Sequence, residues 1–434
     1  MAPAAARSVK KRKSDVIIDN ESPSKAQRRL VDTDSFDNVD ILVDRCRAAR
    51  QLGRRATVVR CRANIALIKY WGKRDERRML PLNDSASVAV NELMATTLID
   101  FGGSENSEED TPIGLSLVVN GRRVACGLKT RYSKVFDELR KLVDLPEEWN
   151  CKIESITSFP TDAGLASSAA GFACIAYGLK QVFDLSLQQA SALARIGSGS
   201  AVRSLEGGLV HWIAGSNDDG ADCRTEVVPD AAGALESLSC CVLVLSGSSK
   251  AVNSSEGMRR SVESSALLKK RVGGRVDRRL RQLTEAANAA DFDKLFDVVM
   301  EDSDELHAVV ADTQPPIEYL TQASRDLIGA ILDYNRRHAS DRVAYSFDAG
   351  PNACIFARRQ SLPVFLDWLK TCVLEDAAQL KIKANKDLAK VAEDALSAAS
   401  ETISATLGEC AKLRPDQVQY MVLSDVGAGP EVIC

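Results

Sequence analysis

One stretch constrains this protein more than any other: Thr161-Asp-Ala-Gly-Leu-Ala-Ser-Ser-Ala-Ala-Gly171. Just upstream, residues 151–156 alternate apolar and polar side chains as a strand does, and Phe159-Pro160 closes it. Downstream, Phe172, Ile175, Ala176, Leu179, Val182 and Phe183 recur at helical spacing. The run therefore reads as strand, small-residue loop and first turn of a helix. Gly and Ala let an anion approach the backbone, and the orphan amides of a helix N-terminus carry partial positive charge. Ser167 and Ser168 add hydroxyls suited to phosphate or Mg²⁺. The same pattern also serves plain close packing, and these residues alone do not choose between the two. The Gly-Lys-Ser/Thr ending of a Walker loop is missing.

Composition sets bounds. With 434 residues, 45% of them hydrophobic, two domains with real cores are within reach. Fifty-six basic and 60 acidic residues nearly cancel, which asks for neither nucleic acid nor membrane as partner. The twelve cysteines are scattered, with no Cys-x-x-Cys, as expected of reduced thiols in a cytoplasmic compartment; disulfides or zinc are the alternative. Three histidines (His211, His307, His338) make a His-based metal site a poor expectation, so acid–base chemistry falls to carboxylates, lysines and hydroxyls.

Residues 1–55 read as a poorly ordered extension, with a short helix expected over 40–50. Its Lys10-Lys-Arg-Lys13 cluster is read as a solvated tail, with a nuclear localisation signal as the alternative. A strand follows at 57–62, then Asn64-Ile-Ala-Leu-Ile-Lys-Tyr-Trp-Gly-Lys-Arg-Asp75, where Lys69, Tyr70, Lys73 and Arg74 gather donors suited to a polyanion. A solvated patch is the plainer reading. Residues 80–87 read as a polar turn, 113–121 as a hairpin through Asn120-Gly121, and 135–143 as a helix. Gly197-Ser-Gly-Ser-Ala-Val-Arg-Ser204 is read as a second anion-binding loop, although Gly–Ser alternation also makes linkers. The basic run 269–281 is expected to be mostly the solvated face of a helix. Asp348, at the end of an apolar strand and ahead of Gly350-Pro351, is by itself a turn former. Residues 375–408 are expected to be helix.

The phosphate-loop run resembles the Pro-x-x-x-Gly-Leu-x-Ser-Ser loop of the GHMP kinase superfamily. Together with 64–75, 197–205, 302–317 and 344–353, it is similar to the diphosphomevalonate decarboxylase family within that superfamily, from about residue 56 to the C-terminus. The resemblance implies an α+β GHMP-kinase fold. A ribosomal-S5-like N-terminal domain (56–230) would be followed by a ferredoxin-like C-terminal domain (231–434), with the site between them. It implies ATP-dependent decarboxylation of mevalonate 5-diphosphate by a cytoplasmic homodimer, with ATP and Mg²⁺. Open alternatives are a kinase or decarboxylase of the same fold acting on mevalonate 5-phosphate or mevalonate, and a catalytically impaired regulatory homologue.

Carried over residue by residue, Asp348, Lys69 and Arg203 match catalytic positions. Asn64, Tyr70, Lys73, Ser198, Ser200 and Arg203 match substrate-binding ones. Gly164, Leu165, Ala166, Ser167, Ser168 and Gly171 match the ATP loop, with Ser168 at the metal. Four positions depart from the family pattern. Arg62 stands in place of Pro, Asp162 of Ala, Val202 of Cys and Asp304 of Asn; Asp162, near a triphosphate, would oppose it unless turned away.

Overall fold

The computed structural model describes residues 16–18, 34–102, 114–145, 149–160, 165, 167–230, 232–246, 251–377, 380–397 and 412–434. Two sheets organise these residues. The first runs in the order Arg224–Val228, Leu209–Ile213, Ser85–Phe101, Cys151–Thr157, Leu115–Val119, Arg122–Arg123, and Arg55–Ile68 also pairs along Ser85–Phe101. The second runs Val16–Ile18, Ile382–Ala384, Val418–Asp425, Leu238–Leu245, Ala353–Arg358, Val343–Phe347.

Arg55–Ile68 is buried almost throughout, so it reads as a continuous apolar run instead of an alternating one. Helix Ser167–Phe183 covers it with Ala169, Ala170, Ala173 and Ala176. Their small side chains let helix and sheet approach so closely that a Cβ on Gly178 would stand 2.5 Å from Cγ1 of Ile99. In the second half, Asp291 caps helix Phe292–Ala311 by accepting from the Lys294 amide. That helix packs on Val343–Phe347. Asn120 and Gly121 both take positive φ at the hairpin tip, the conformation that a two-residue turn demands.

Three expectations change and a fourth is refined. Within the supposed loose extension, helix Asp34–Gln51 docks on the first sheet, burying Leu42, Cys46 and Ala49 against Ala56, Val58 and Leu98, while Arg45 pairs with Glu154. Amphipathic spacing, not composition, decides its order. The C-terminal end likewise returns to the first half, because Glu431–Val432 pairs with Arg55–Ile68. There Arg62 answers Glu431 and the Gly429 carbonyl, which accounts for the departure from Pro. Residues 375–408 are not one helix: Ile382–Ala384 is a strand, Lys386–Ser397 is helical, and 398–408 lie outside the described residues. The basic run 269–281 is mostly exposed, as expected, but it is broken at Gly273 and Gly274, where φ reaches 114° at Gly274, and Arg271 and Arg279 on either side of the break are buried.

Candidate functional site

The end of strand Arg55–Ile68 delivers Lys69 into the seam between the two halves. The end of strand Val343–Phe347 delivers Asp348 to the same place. Lys69 is only 2% exposed, and its Nζ donates to Oδ1 of Asp348 at 2.6 Å and to Oγ of Ser346 at 2.6 Å. The Asp348 side chain remains 48% exposed. A buried ammonium thus faces a half-exposed carboxylate, an arrangement able to hold a substrate hydroxyl and stabilise negative charge arising beside it.

Arg203 sits in the 3₁₀ turn Gly199–Ser204 and is 3% exposed. Its Nε donates to Ser87 at 3.0 Å and one terminal nitrogen donates to Ser85 at 2.8 Å, while the guanidinium lies 5.7 Å from the centre of the Trp212 ring. Burial lowers its pKa to about 10, and Asp348 and Tyr70 oppose that shift. It stays cationic at neutral pH. Ser85 and Ser87 were missed in the sequence, where 80–87 read as a turn; the structure starts strand Ser85–Phe101 there. Their two-residue spacing on a strand puts both hydroxyls on one face, which is the signal that could have found them.

Asn64 donates its amide to the Ser200 carbonyl and the Ser204 hydroxyl, both at 2.8 Å, so it supports the turn from below, and its own Oδ1 is buried without a partner. The Tyr70 hydroxyl is also buried and unpartnered, and burial pushes its pKa well up. The ring packs edge-on to Trp212, and a Cβ on Gly199 would come within 3.0 Å of it, so this glycine permits the close approach. Lys73 is buried, with Glu76 at 3.7 Å.

The hydroxyls of Ser168, Ser198 and Ser200 form a row, 3.4 Å between the first two and 3.3 Å between the second two. The first helical turn after the small-residue loop and the Gly–Ser loop therefore meet, although 30 residues separate Ser168 from Ser198. Mg²⁺ takes oxygen donors and is held largely by phosphates and water, so this row can offer it a hydroxyl ligand but no carboxylate. No group of three or more His, Cys, Asp or Glu that could hold a metal occurs among the described residues. Leu165 is a core residue, Ser167 opens helix Ser167–Phe183, and a Cβ at Gly171 would meet open space. Gly164, Ala166 and Asp162 lie outside the described residues.

Two further departures find local answers. Asp304 accepts from the Tyr345 hydroxyl through both oxygens, at 3.0 and 2.9 Å, and Val202 is plain core. Beneath the site, His307 has an unpartnered, buried Nε2; burial and the Lys69 charge lower its pKa to about 4, against the Phe347 backbone and Asp348.

A model of the mevalonate 5-diphosphate decarboxylase C-terminal domain matches residues 240–433. A model of the diphosphomevalonate decarboxylase-like N-terminal domain matches residues 61–225. Diphosphomevalonate decarboxylase of Danio rerio is 37% identical over 390 residues, 87% of this chain and 93% of its own. The structure of mevalonate diphosphate decarboxylase from Trypanosoma brucei superposes with TM-score 0.74 at 29% identity, covering 87% of this chain and 98% of that one. A structure described as MDDEF in complex with MVAPP, AMPPCP and magnesium gives TM-score 0.69 at 26% identity, over 88% of this chain and 99% of that one. The fold is thus the α+β fold of those enzymes. With one family model on each half and more than a third of residues identical to a relative across nearly its whole length, this chain belongs to the diphosphomevalonate decarboxylase family.

Proposed function

We propose that this protein converts mevalonate 5-diphosphate and ATP to isopentenyl diphosphate, CO₂, ADP and phosphate. The observation that carries the reading is the 2.6 Å contact between Lys69 and Asp348, made across the two halves beside the buried Arg203. The substrate's 3-hydroxyl is tertiary, and hydroxide is a very poor leaving group. Transfer of the γ-phosphoryl of ATP to that oxygen turns it into a good one. Asp348 takes or orients the hydroxyl proton, and Lys69 stabilises charge on the transferring phosphoryl. Departure of phosphate then leaves a carbocation-like centre. The carboxylate held by Arg203 gives up CO₂, and its bonding pair becomes the double bond.

Tyr70 and Lys73 are assigned to the substrate diphosphate, and Ser198 and Ser200 to the substrate within the Gly–Ser loop, with Asn64 holding that loop. The ATP phosphates are assigned to 164–168 and Gly171, and Mg²⁺ to Ser168. Support comes from the hydroxyl row and from the related structure holding MVAPP, AMPPCP and magnesium. When bound, Mg²⁺ supplies neutralisation of phosphate charge. A division near residue 230 fits the family models, which end at 225 and begin at 240. A place in sterol synthesis, a cytoplasmic location and a homodimer are further parts of this proposal, carried by family membership. Sedimentation and cell fractionation test the last two.

The deciding experiment measures phosphate and CO₂ release from mevalonate, its 5-phosphate and its 5-diphosphate in the presence of Mg-ATP. Both products from the diphosphate alone are expected. ADP formation without CO₂ would make the protein a kinase, and preference for the monophosphate would move the substrate assignment.

A further inference from the structure

The strongest unassigned feature is a buried ionic cluster behind Lys69. Arg271 is fully buried in the break at 271–275, and Asp302 is fully buried on helix Phe292–Ala311. Arg271 forks onto Asp302, one terminal nitrogen to Oδ1 at 2.8 Å and the other to Oδ2 at 2.9 Å. Asp302 Oδ2 also accepts the backbone N–H of Lys69 at 2.7 Å, and Arg271 donates to the backbone carbonyl of Lys69 at 2.9 Å. One ion pair thus holds both polar groups of a single residue's backbone, more than 200 positions away in sequence. Asn83 adds a second donor to the same carbonyl at 3.0 Å. Around this ring, Glu305 accepts from Arg271 at 2.7 Å and from Arg275 at 2.8 Å, and it pairs with Arg279 as well.

A fully buried ion pair is weak evidence for stability, since desolvation can exceed the attraction. Position is what such a pair can supply, and here it fixes the residue whose ammonium lies 2.6 Å from Asp348. Burial disfavours charge on Arg271, and the attraction of Asp302 and Glu305 more than restores it, so the fork stays charged. We propose that Asp302 and Arg271 are positioning residues that clamp the Lys69 backbone from the C-terminal half, holding its Nζ in reacting register with Asp348. The inference rests on the decarboxylase reading for the meaning of that register. The clamp itself is independent of it.

Arg279 is a built-in comparison. It is nearly buried and joins Asp302 and Glu305, yet it makes no hydrogen bond to Lys69. The experiment measures kcat and both KM values, with mevalonate 5-diphosphate and Mg-ATP, for Asp302→Asn, Arg271→Lys and Arg279→Gln, with the melting temperature of each. Asp302→Asn and Arg271→Lys are expected to lower kcat by roughly ten- to a hundredfold, the effect of a displacement of about 1 Å at a catalytic group, with each KM within about threefold. Arg279→Gln should lower the melting temperature comparably and leave kcat within about threefold. Wild-type kcat in both clamp variants, or an equal fall in kcat in Arg279→Gln, overturns the inference. Should neither clamp variant fold, hydrogen exchange in the wild-type protein decides. The Lys69 amide should exchange only through global opening, and fast local exchange there overturns the clamp. A wild-type protein that forms no CO₂ would instead sink the functional reading and leave the exchange test standing.

Discussion

His307 couples acid stability to the seat of Lys69. Its imidazole lies on helix Phe292–Ala311 beside Phe347, with Nε2 buried and unpartnered. Burial first, then the positive charge of Lys69, lower its pKa from 6.5 to about 4. Unfolded, it takes up a proton as pH falls through 6.5; folded, it resists until about 4. The stability it contributes is therefore complete above 6.5 and lost progressively as pH falls from there towards 4. Those two values make the loss about 2 kcal/mol at about pH 5 and about 3 kcal/mol once both states are protonated, at 1.36 kcal/mol per pKa unit.

The assay is urea unfolding of wild type and His307→Gln at about pH 7.5, 6 and 5, each analysed by linear extrapolation. Asp304, whose pKa is raised by burial against the Tyr345 hydrogen bond, titrates in acid with the opposite sign, and it cancels in the difference between the proteins. Whatever Gln costs in packing is constant with pH. The stability gap between the two proteins should therefore close, or cross in favour of Gln, by about 2 kcal/mol between about pH 7.5 and 5. Parallel curves, agreeing within about 0.5 kcal/mol at all three pH values, would refute a buried neutral imidazole.

Three other perturbations have definite outcomes. Asp348→Asn keeps the turn and removes the charge, so kcat should fall roughly two to four orders of magnitude with little change in KM; a change of only a few-fold would reduce Asp348 to a turn former. Arg203→Gln should lower kcat by a comparable or smaller factor and raise KM for the acid substrate; steady-state kinetics showing an unchanged KM would remove the carboxylate from its partner list. A truncated protein beginning near Arg54 should keep most of its kcat yet melt at lower temperature, because it uncovers Ala56, Val58 and Leu98; an unchanged melting curve would show that the docked helix contributes nothing.

The residue types and local patterns of the candidate site were legible in the sequence. The strand, small-residue loop and helix around Ser167 and Ser168, the donor-rich run 64–75, the Gly–Ser turn and the lone Asp348 are all local patterns, and local patterns survive in one dimension. The sequence could not determine what each pattern faces. Lys69 read as one of several cations on a possible solvated patch; the fold buries it and brings it to Asp348, 279 positions on. Arg271 and Arg279 read as a solvated basic face. They flank the helix break at Gly273 and Gly274 and pair with Asp302 and Glu305 on a neighbouring helix, a partnership that depends on packing between helices. The docked helix Asp34–Gln51, the C-terminal end returning to Arg55–Ile68 and the two serines under Arg203 were hidden for the same reason. Periodicity names the face that will be buried, whereas the partner that buries it, and the value a charge takes there, belong to contacts formed only when distant segments close together.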